Sequence, residues 1–280
     1  MAVAIVTDSA AALPADLVAR HGITVVPMWL TVGDDSFLDG DRSLGELLGD
    51  VAVSTSGPTP GQFAAAIEAS RGPDGVLILT IAATMSSTHQ SAVLAARSYG
   101  EGVRVVDTGT AAGAEALVVL AAAEAAEAGK TLDEVEAVAR RAIGEVRLVA
   151  TVPNLDHLVR SGRVPNVAGW AGRHLHISPL FEFRAGAVKR LRPAFGFETA
   201  LHRIYSTFAR SAVEGASLHV AVLHAMAPEP ARRLLEKVTE AAEPDTAFLG
   251  EFGSVMVVHT GPGLVGLAWR WDLAGGQAGS

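Results

Sequence analysis

Short β-rich runs alternating with helical stretches constrain the fold of this chain more than any other feature. Residues 3–7, 24–27, 76–81 and 103–107 are strand-like runs rich in Val, Ile and Leu. Between them, residues 13–20, 62–70 and 91–99 read as helices. Pro14 suits a first helical turn, and Thr59-Pro60-Gly61 opens the second helix. An alanine-rich helix at 111–129 and another at 132–143 follow. Strands joined through helices pair in parallel, so the first half predicts a mostly parallel sheet with helices on both faces.

The character then changes. A strand at 146–152 and a short helix at 154–160 lead to paired strands, 174–183 and 187–191, about Arg184-Ala185-Gly186. A helix at 199–212, a strand at 218–223 and a helix at 229–241 come next. Residues 252–269 carry no formal charge, a length near that of a membrane helix. Gly253, His259, Gly261, Pro262, Gly263 and Gly266 punctuate that stretch, so it reads as two buried strands, 254–258 and 265–271. The expectation is a two-domain α/β chain. A parallel α/β domain spans 1–147 and an α+β domain spans 148–280, with no linker-like segment between them.

In parallel sheets, ligands collect beyond the carboxyl ends of the strands. Asp8-Ser9, Ser54-Thr55-Ser56, the cluster Thr84, Ser86, Ser87 and Thr88, and Asp107-Thr108 all fall there. A helix cap needs one side-chain oxygen, supplied by Ser87 or Thr88, and the cluster has four hydroxyls. The free amides of a helix start favour negative charge. Ser54 to Pro58 reads as a Ser/Pro turn with hydroxyls of its own. Together the two sets suit a carboxylate or phosphate, held by hydroxyls and amides in place of a formal positive charge. His259-Thr260-Gly261-Pro262-Gly263, after a strand end, offers a third contributor whose glycines let backbone approach a ligand.

Other chemistries are weaker. A net charge of −8, with no basic run, argues against nucleic acid or an anionic membrane as the main partner, and zero cysteines removes thiol chemistry. Gly261-Pro-Gly263-Leu-Val-Gly266 satisfies the dinucleotide pattern, but a strand follows it where a helix is needed. Gly129-Lys130-Thr131 lacks the first glycine of a phosphate loop, since position 124 is Glu. His174 and His176 alternate along a strand without a third ligand, so packing or pocket lining is preferred to a metal site. The N-terminus has no signal-peptide pattern, and the chain is expected in the cytoplasm.

Taken in order, Ala4-Ile-Val-Thr-Asp-Ser9, Ser54-Thr-Ser-Gly-Pro-Thr-Pro60, Met85-Ser-Ser-Thr-His-Gln-Ser91, Val106-Asp107-Thr108, Ser161-Gly-Arg163 and Val258-His-Thr-Gly-Pro-Gly263 resemble the DegV family over nearly the whole chain. The resemblance implies a two-domain fold with a long-chain fatty acid between the domains, and a role presenting the acyl carboxylate to a bacterial fatty acid kinase. With no nucleotide motif or metal cluster in the sequence, no cofactor and no metal are expected besides the bound fatty acid. Thr55, Ser56 and Ser86 match the family's carboxylate-binding positions, with His259 nearby and Ser87 standing where a glycine is usual. Arg163 matches the arginine of a Gly-Gly-Arg segment, with Ser161 replacing the first glycine. Its role is open between a helix C-terminal cation and a ligand or partner contact. Phe195-Gly196-Phe197-Glu198-Thr199 lies where the family often carries basic residues associated with kinase docking, a departure that counts against that partnership.

A binding protein without chemistry of its own fits the lack of an adjacent general base. The alternative is a hydrolase or acyl/phosphoryl-transfer enzyme. It would use Ser86 as nucleophile and His259 as base, the latter oriented by Asp8 or Asp107. A third reading, a lipid-responsive interaction protein, needs Phe195 and Phe197 exposed. Phe181, Phe183, Ile177 and Leu175 are candidates to line an acyl tunnel or simply to form core.

Overall fold

The computed structural model describes residues 2–41, 53–153, 155–163, 177–184 and 187–272. The first sheet begins with β1 (Ala4–Asp8) and, beyond α1 (Ala15–Arg20), its parallel neighbour β2 (Thr24–Val26). The chain then builds an antiparallel three-stranded sheet from β3 (Trp29–Val32), β4 (Asp35–Leu38) and β5 (Val53–Ser56), with β3 in the middle. It returns through α2 (Pro60–Ser70), β6 (Val76–Thr80), α3 (Thr88–Ala96) and β7 (Val103–Asp107). The first sheet is wholly parallel, in the order β2-β1-β6-β7. Thr59 starts α2 with a capping box, exchanging hydrogen bonds with Gln62.

Alternation along the strands divides the core between the sheet's two faces. Val6 and Ile78 pack on Phe63 and Ile67 of α2 and Ala92 of α3. Ile5, Leu77 and Leu79 face the other way, toward α4 (Ala112–Glu127) and α5 (Leu132–Glu145).

The remaining elements are β8 (Arg147–Thr151), α6 (Asp156–Ser161), β9 (Ile177–Arg184), β10 (Ala187–Phe195), α7 (Phe197–Ala209), β11 (Ser217–His224), α8 (Pro228–Ala241), β12 (Thr246–Glu251), α9 (Ser254–Thr260) and β13 (Val265–Asp272). They form a second, six-stranded sheet in the order β10-β9-β8-β13-β11-β12, antiparallel except for β11 with β12. Its outer face, with Val149, Val222, Leu267 and Trp269, is covered by Ile204 of α7 and Leu234 of α8. Its inner face packs on α4.

Helix α4 therefore lies between the two sheets, which explains its composition. Fourteen of its sixteen residues are buried, and a helix buried on every side carries no polar stripe. Alanine keeps the layers close, and Gly113 brings them closer still. A Cβ at Gly113 would lie 3.0 Å from the Cβ of Ala221 and 3.2 Å from that of Ala268.

The expected parallel sheet, its helices on both faces and the β9–β10 pairing are found. Three expectations are corrected. Residues 254–258 form helix α9, not a strand; its Val and Met side chains are buried around most of its circumference, so no helical period shows. Val53–Ser56 is a strand paired with β3, and the Ser/Pro turn starts only at Gly57. Strands β3, β4 and β12 (Thr246–Glu251) are absent from the expectation, their short, partly exposed runs being too weak a signal. His174, Leu175 and His176 lie outside the described residues. Phe195 is 78 % exposed at the end of β10, whereas Phe197 packs against the α7 side of the second core. Among the described residues, no helix is long and apolar enough to cross a membrane.

Candidate functional site

A cavity of about 540 Å³ opens beyond the carboxyl ends of β6 and β8, between α4, α9 and the inner face of the second sheet. This volume is within the roughly 300–1,000 Å³ usual for ligand pockets. Every anticipated site residue lines it: Thr55, Ser56, Ser86, Ser87, Arg163 and His259. They come from four separate stretches of chain. Thr55 and Ser56 end β5, Ser86 and Ser87 precede α3, Arg163 follows α6, and His259 sits in the last turn of α9.

One hydrogen bond joins two of these segments, and another stays within the turn before α3. Thr55 Oγ1 lies 2.7 Å from His259 Nε2. Ser86 Oγ lies 2.8 Å from Thr88 Oγ1 and accepts from the Thr88 backbone N–H at 3.3 Å. Capping of α3 therefore falls to Ser86; Ser87 occupies the cap position without a side-chain bond and is exposed. The end of β5 abuts this turn so closely that a Cβ at Gly57 would come 2.7 Å from Thr88 Oγ1. Two hydroxyl clusters far apart in sequence are thus one polar surface.

Electrostatics leave that surface uncharged at its centre. Burial, and secondarily the positive charge of Arg163, lower the His259 pKa to about 4, so the ring is neutral near pH 7. Arg163 is exposed at the rim, where its guanidinium donates to the Ser161 carbonyl at 2.7 Å. Among the described hydrogen bonds, Ser86 pairs with Thr88 and His259 with Thr55. Asp8 accepts from the N–H groups of Ala10 and Ile81, and Asp107 from those of Ala83 and Gly109. A Ser86–His259 dyad with an orienting acid is not what these bonds build. No group of side chains that could hold a metal ion occurs among the described residues.

One contributor had no sequence signal. Asp39, just after β4, accepts the Ser9 hydroxyl at 2.8 Å and the Val255 N–H at 3.1 Å, and also bonds the Ser254 N–H. The first turn of α9 is therefore capped by a carboxylate more than two hundred residues away. The structure closes a ring: β5 pairs with β3, β3 with β4, Asp39 holds the start of α9, and His259 at its end meets Thr55. The remaining lining adds the hydroxyl residues Thr84, Ser161 and Thr260 and a broad apolar wall that includes Met28, Phe252, Val255 and Met256 besides the anticipated Phe181 and Phe183. Ile177 is not among the lining residues.

Comparison with known proteins gives the same picture at the level of the whole chain. Residues 2–271 match the family described as uncharacterised proteins of DegV type. The chain belongs to the DegV family. A DegV domain-containing protein of Streptomyces coelicolor is 39% identical over 274 residues, covering 95% of this chain and 97% of the relative. A protein of Thermotoga maritima named a fatty acid-binding protein is 28% identical, covering 95% and 96% respectively. Among solved structures, the DegV family protein from Thermus thermophilus described by its fatty acid binding superposes with a TM-score of 0.88 at 30% identity, covering 97% of this chain and all of that one. The fold is accordingly the two-domain α/β fold of DegV proteins.

Proposed function

We propose that this DegV protein binds a long-chain fatty acid in the cavity and has no reaction of its own. Thr55, Ser56, Ser86, Ser87 and His259 take the carboxylate, Arg163 flanks it at the rim, and the alkyl chain runs over the apolar wall. The observation that carries this reading is the convergence of hydroxyls from two chain segments and a neutral imidazole from a third on one cavity that also has a broad apolar wall. A division near 147/148 puts Thr55, Ser56, Ser86 and Ser87 in one domain and Arg163, His259, Phe181 and Phe183 in the other, so the ligand lies between them. The naming of relatives at 28–30% identity as fatty acid-binding supports the choice of ligand.

The energetics divide cleanly. Each buried methylene contributes about 0.8 kcal/mol, so the tail supplies most of the affinity. A carboxylate buried without partners is costly, so the hydroxyls and the α3 amides fix orientation more than they add affinity. Such a protein, acting in the cytoplasm, presents a head group at the surface end of the pocket, where a fatty acid kinase could phosphorylate it. The lack of basic residues from Phe195 to Thr199 argues that any such kinase docks by other contacts.

Native mass spectrometry of protein from a heterologous host, followed by denaturing extraction, tests the proposal. The expected result is one co-purified fatty acid per chain, lost in the Thr55→Ala/Ser86→Ala double variant. Protein that carries no fatty acid and takes up none when it is added overturns it.

A further inference from the structure

We infer that Leu148 sets the length of the acyl chain the cavity accepts, as the stop at the inner end of a furrow floored by Gly266 and Ala150; this rests on the fatty-acid reading above.

The register of the second sheet makes the furrow. Leu223, Gly266, Ala150 and Phe181 stand in one row across β11, β13, β8 and β9, and all four line the cavity. The two middle members are the smallest side chains available and the outer two are bulky, so the row is a trough walled by Leu223 and Phe181. The next row on the same face, two residues along each strand, is Ala221, Ala268, Leu148 and Phe183. Its two halves behave differently. Over β11 and β13, helix α4 lands directly on the sheet at Gly113, against Ala221 and Ala268. The trough is shut there. Over β8 and β9, Leu148 and Phe183 both line the cavity and are 5% and 7% exposed.

Of these two, Leu148 is placed to meet the end of a chain lying in the trough. Its Cδ1 lies 3.3 Å from the point a Cβ on Gly266 would occupy, so it overhangs the floor itself. Phe183 is held in an edge-to-face pair with Phe181, the ring centroids 5.8 Å apart, and forms the side wall. An unbranched chain whose methyl end reaches Leu148 is buried throughout. One carbon fewer forfeits about fourfold in affinity, and one carbon more has to bend or displace the leucine.

The test is the affinity of the lipid-stripped full chain for a series of saturated fatty acids of increasing length, by calorimetry or displacement of a fluorescent fatty acid. The wild type should show an optimum. Leu148→Ala should move it about two carbons longer, and Ala150→Leu, which fills the trough, should move it shorter by a similar amount, each carbon counting about fourfold. Because Leu148→Ala opens the core, Leu148→Val serves as a milder variant, with a smaller shift in the same direction. Circular dichroism and melting temperature verify the fold of each. Variants that all keep the wild-type optimum, with affinity lowered evenly across the series, overturn the assignment of Leu148 while leaving fatty acid binding intact. A wild type that binds no member of the series overturns the underlying reading instead.

Discussion

Replacing Gly113 by alanine sets two effects of known size against each other. Alanine is favoured over glycine in a helix by up to about 1 kcal/mol, and less at the second residue of α4 than in its interior. Against this, the new methyl would sit 3.0 Å from Ala221 Cβ and 3.2 Å from both Ala268 Cβ and Leu223 Cδ2, where carbon pairs prefer about 3.5–4.0 Å. Two of the three neighbours are Cβ atoms fixed to backbone, on strands paired directly at Ala221 and Ala268. They have no torsion through which to move away. Helix α4 is pressed from behind by the first sheet, so it retreats only by disturbing that packing too. Overpacking of this kind costs about 1–3 kcal/mol. Sterics win, and Gly113→Ala should be destabilised by about 1–2 kcal/mol net, a fall in melting temperature of roughly 2–8 °C. Because Ala111 and Ala112 line the cavity, acyl affinity should fall with it. Gly144→Ala is the control: an exposed residue of α5 with nothing within 4 Å of its new Cβ, it should be stabilised by a few tenths to about 1 kcal/mol. Urea titrations measure both. A Gly113→Ala protein as stable as wild type, or more so, would refute the claim that the closeness of α4 to the sheet requires glycine.

Thr55→Val removes the 2.7 Å bond to His259 and should weaken fatty acid binding about tenfold by titration, with little change in melting temperature. Asp39→Ala uncaps α9 at a distance; it should destabilise the protein by about 1–2 kcal/mol and lower acyl affinity, while Ser9→Ala does less of both. Asp8, wholly buried, has its pKa raised from 3.8 to about 7 by desolvation. Between those values the folded state holds a proton that the unfolded state has lost, so stability falls as pH rises from about 4 to about 7, by about 4 kcal/mol in all. Asp8→Asn should remove that part of the slope in urea titrations at several pH values, and an unchanged slope counts against it. His259 works in the opposite sense: its folded pKa is lowered to about 4, so its contribution is complete above 6.5 and is lost as pH falls toward 4, and His259→Gln should hold up better than wild type in that window.

What the sequence disclosed and what it concealed follow from the range of the interactions involved. The parallel sheet was legible because buried strands such as Val76–Thr80 announce themselves by local composition, and α2 because its capping box lies within four residues. The hydroxyl clusters were legible because ligands collect at strand ends whatever the rest of the chain does. Helix α9 was not, since what makes Ser254–Thr260 helical is external: Asp39 satisfies its first amides, and burial against both the cavity and the core hides its period. Intrinsic preference for a Val-rich run pointed to a strand, and tertiary contacts overrode it. The same holds for the pairing of Thr55 with His259, which no spacing in the sequence encodes. The polar end of the cavity is made of segments whose local structure is set from elsewhere. That dependence has a consequence for function. A pocket whose polar residues are joined through β5, β3, β4, Asp39 and α9 is only as ordered as the weakest of those links, and the links made of single side chains are Ser9–Asp39–Val255 and Thr55–His259. Substitutions there should therefore alter ligand affinity more than their distance from the alkyl chain would suggest, whereas equally conservative changes on the outer face of the second sheet, behind Val149 and Leu267, should change stability and leave the affinity alone.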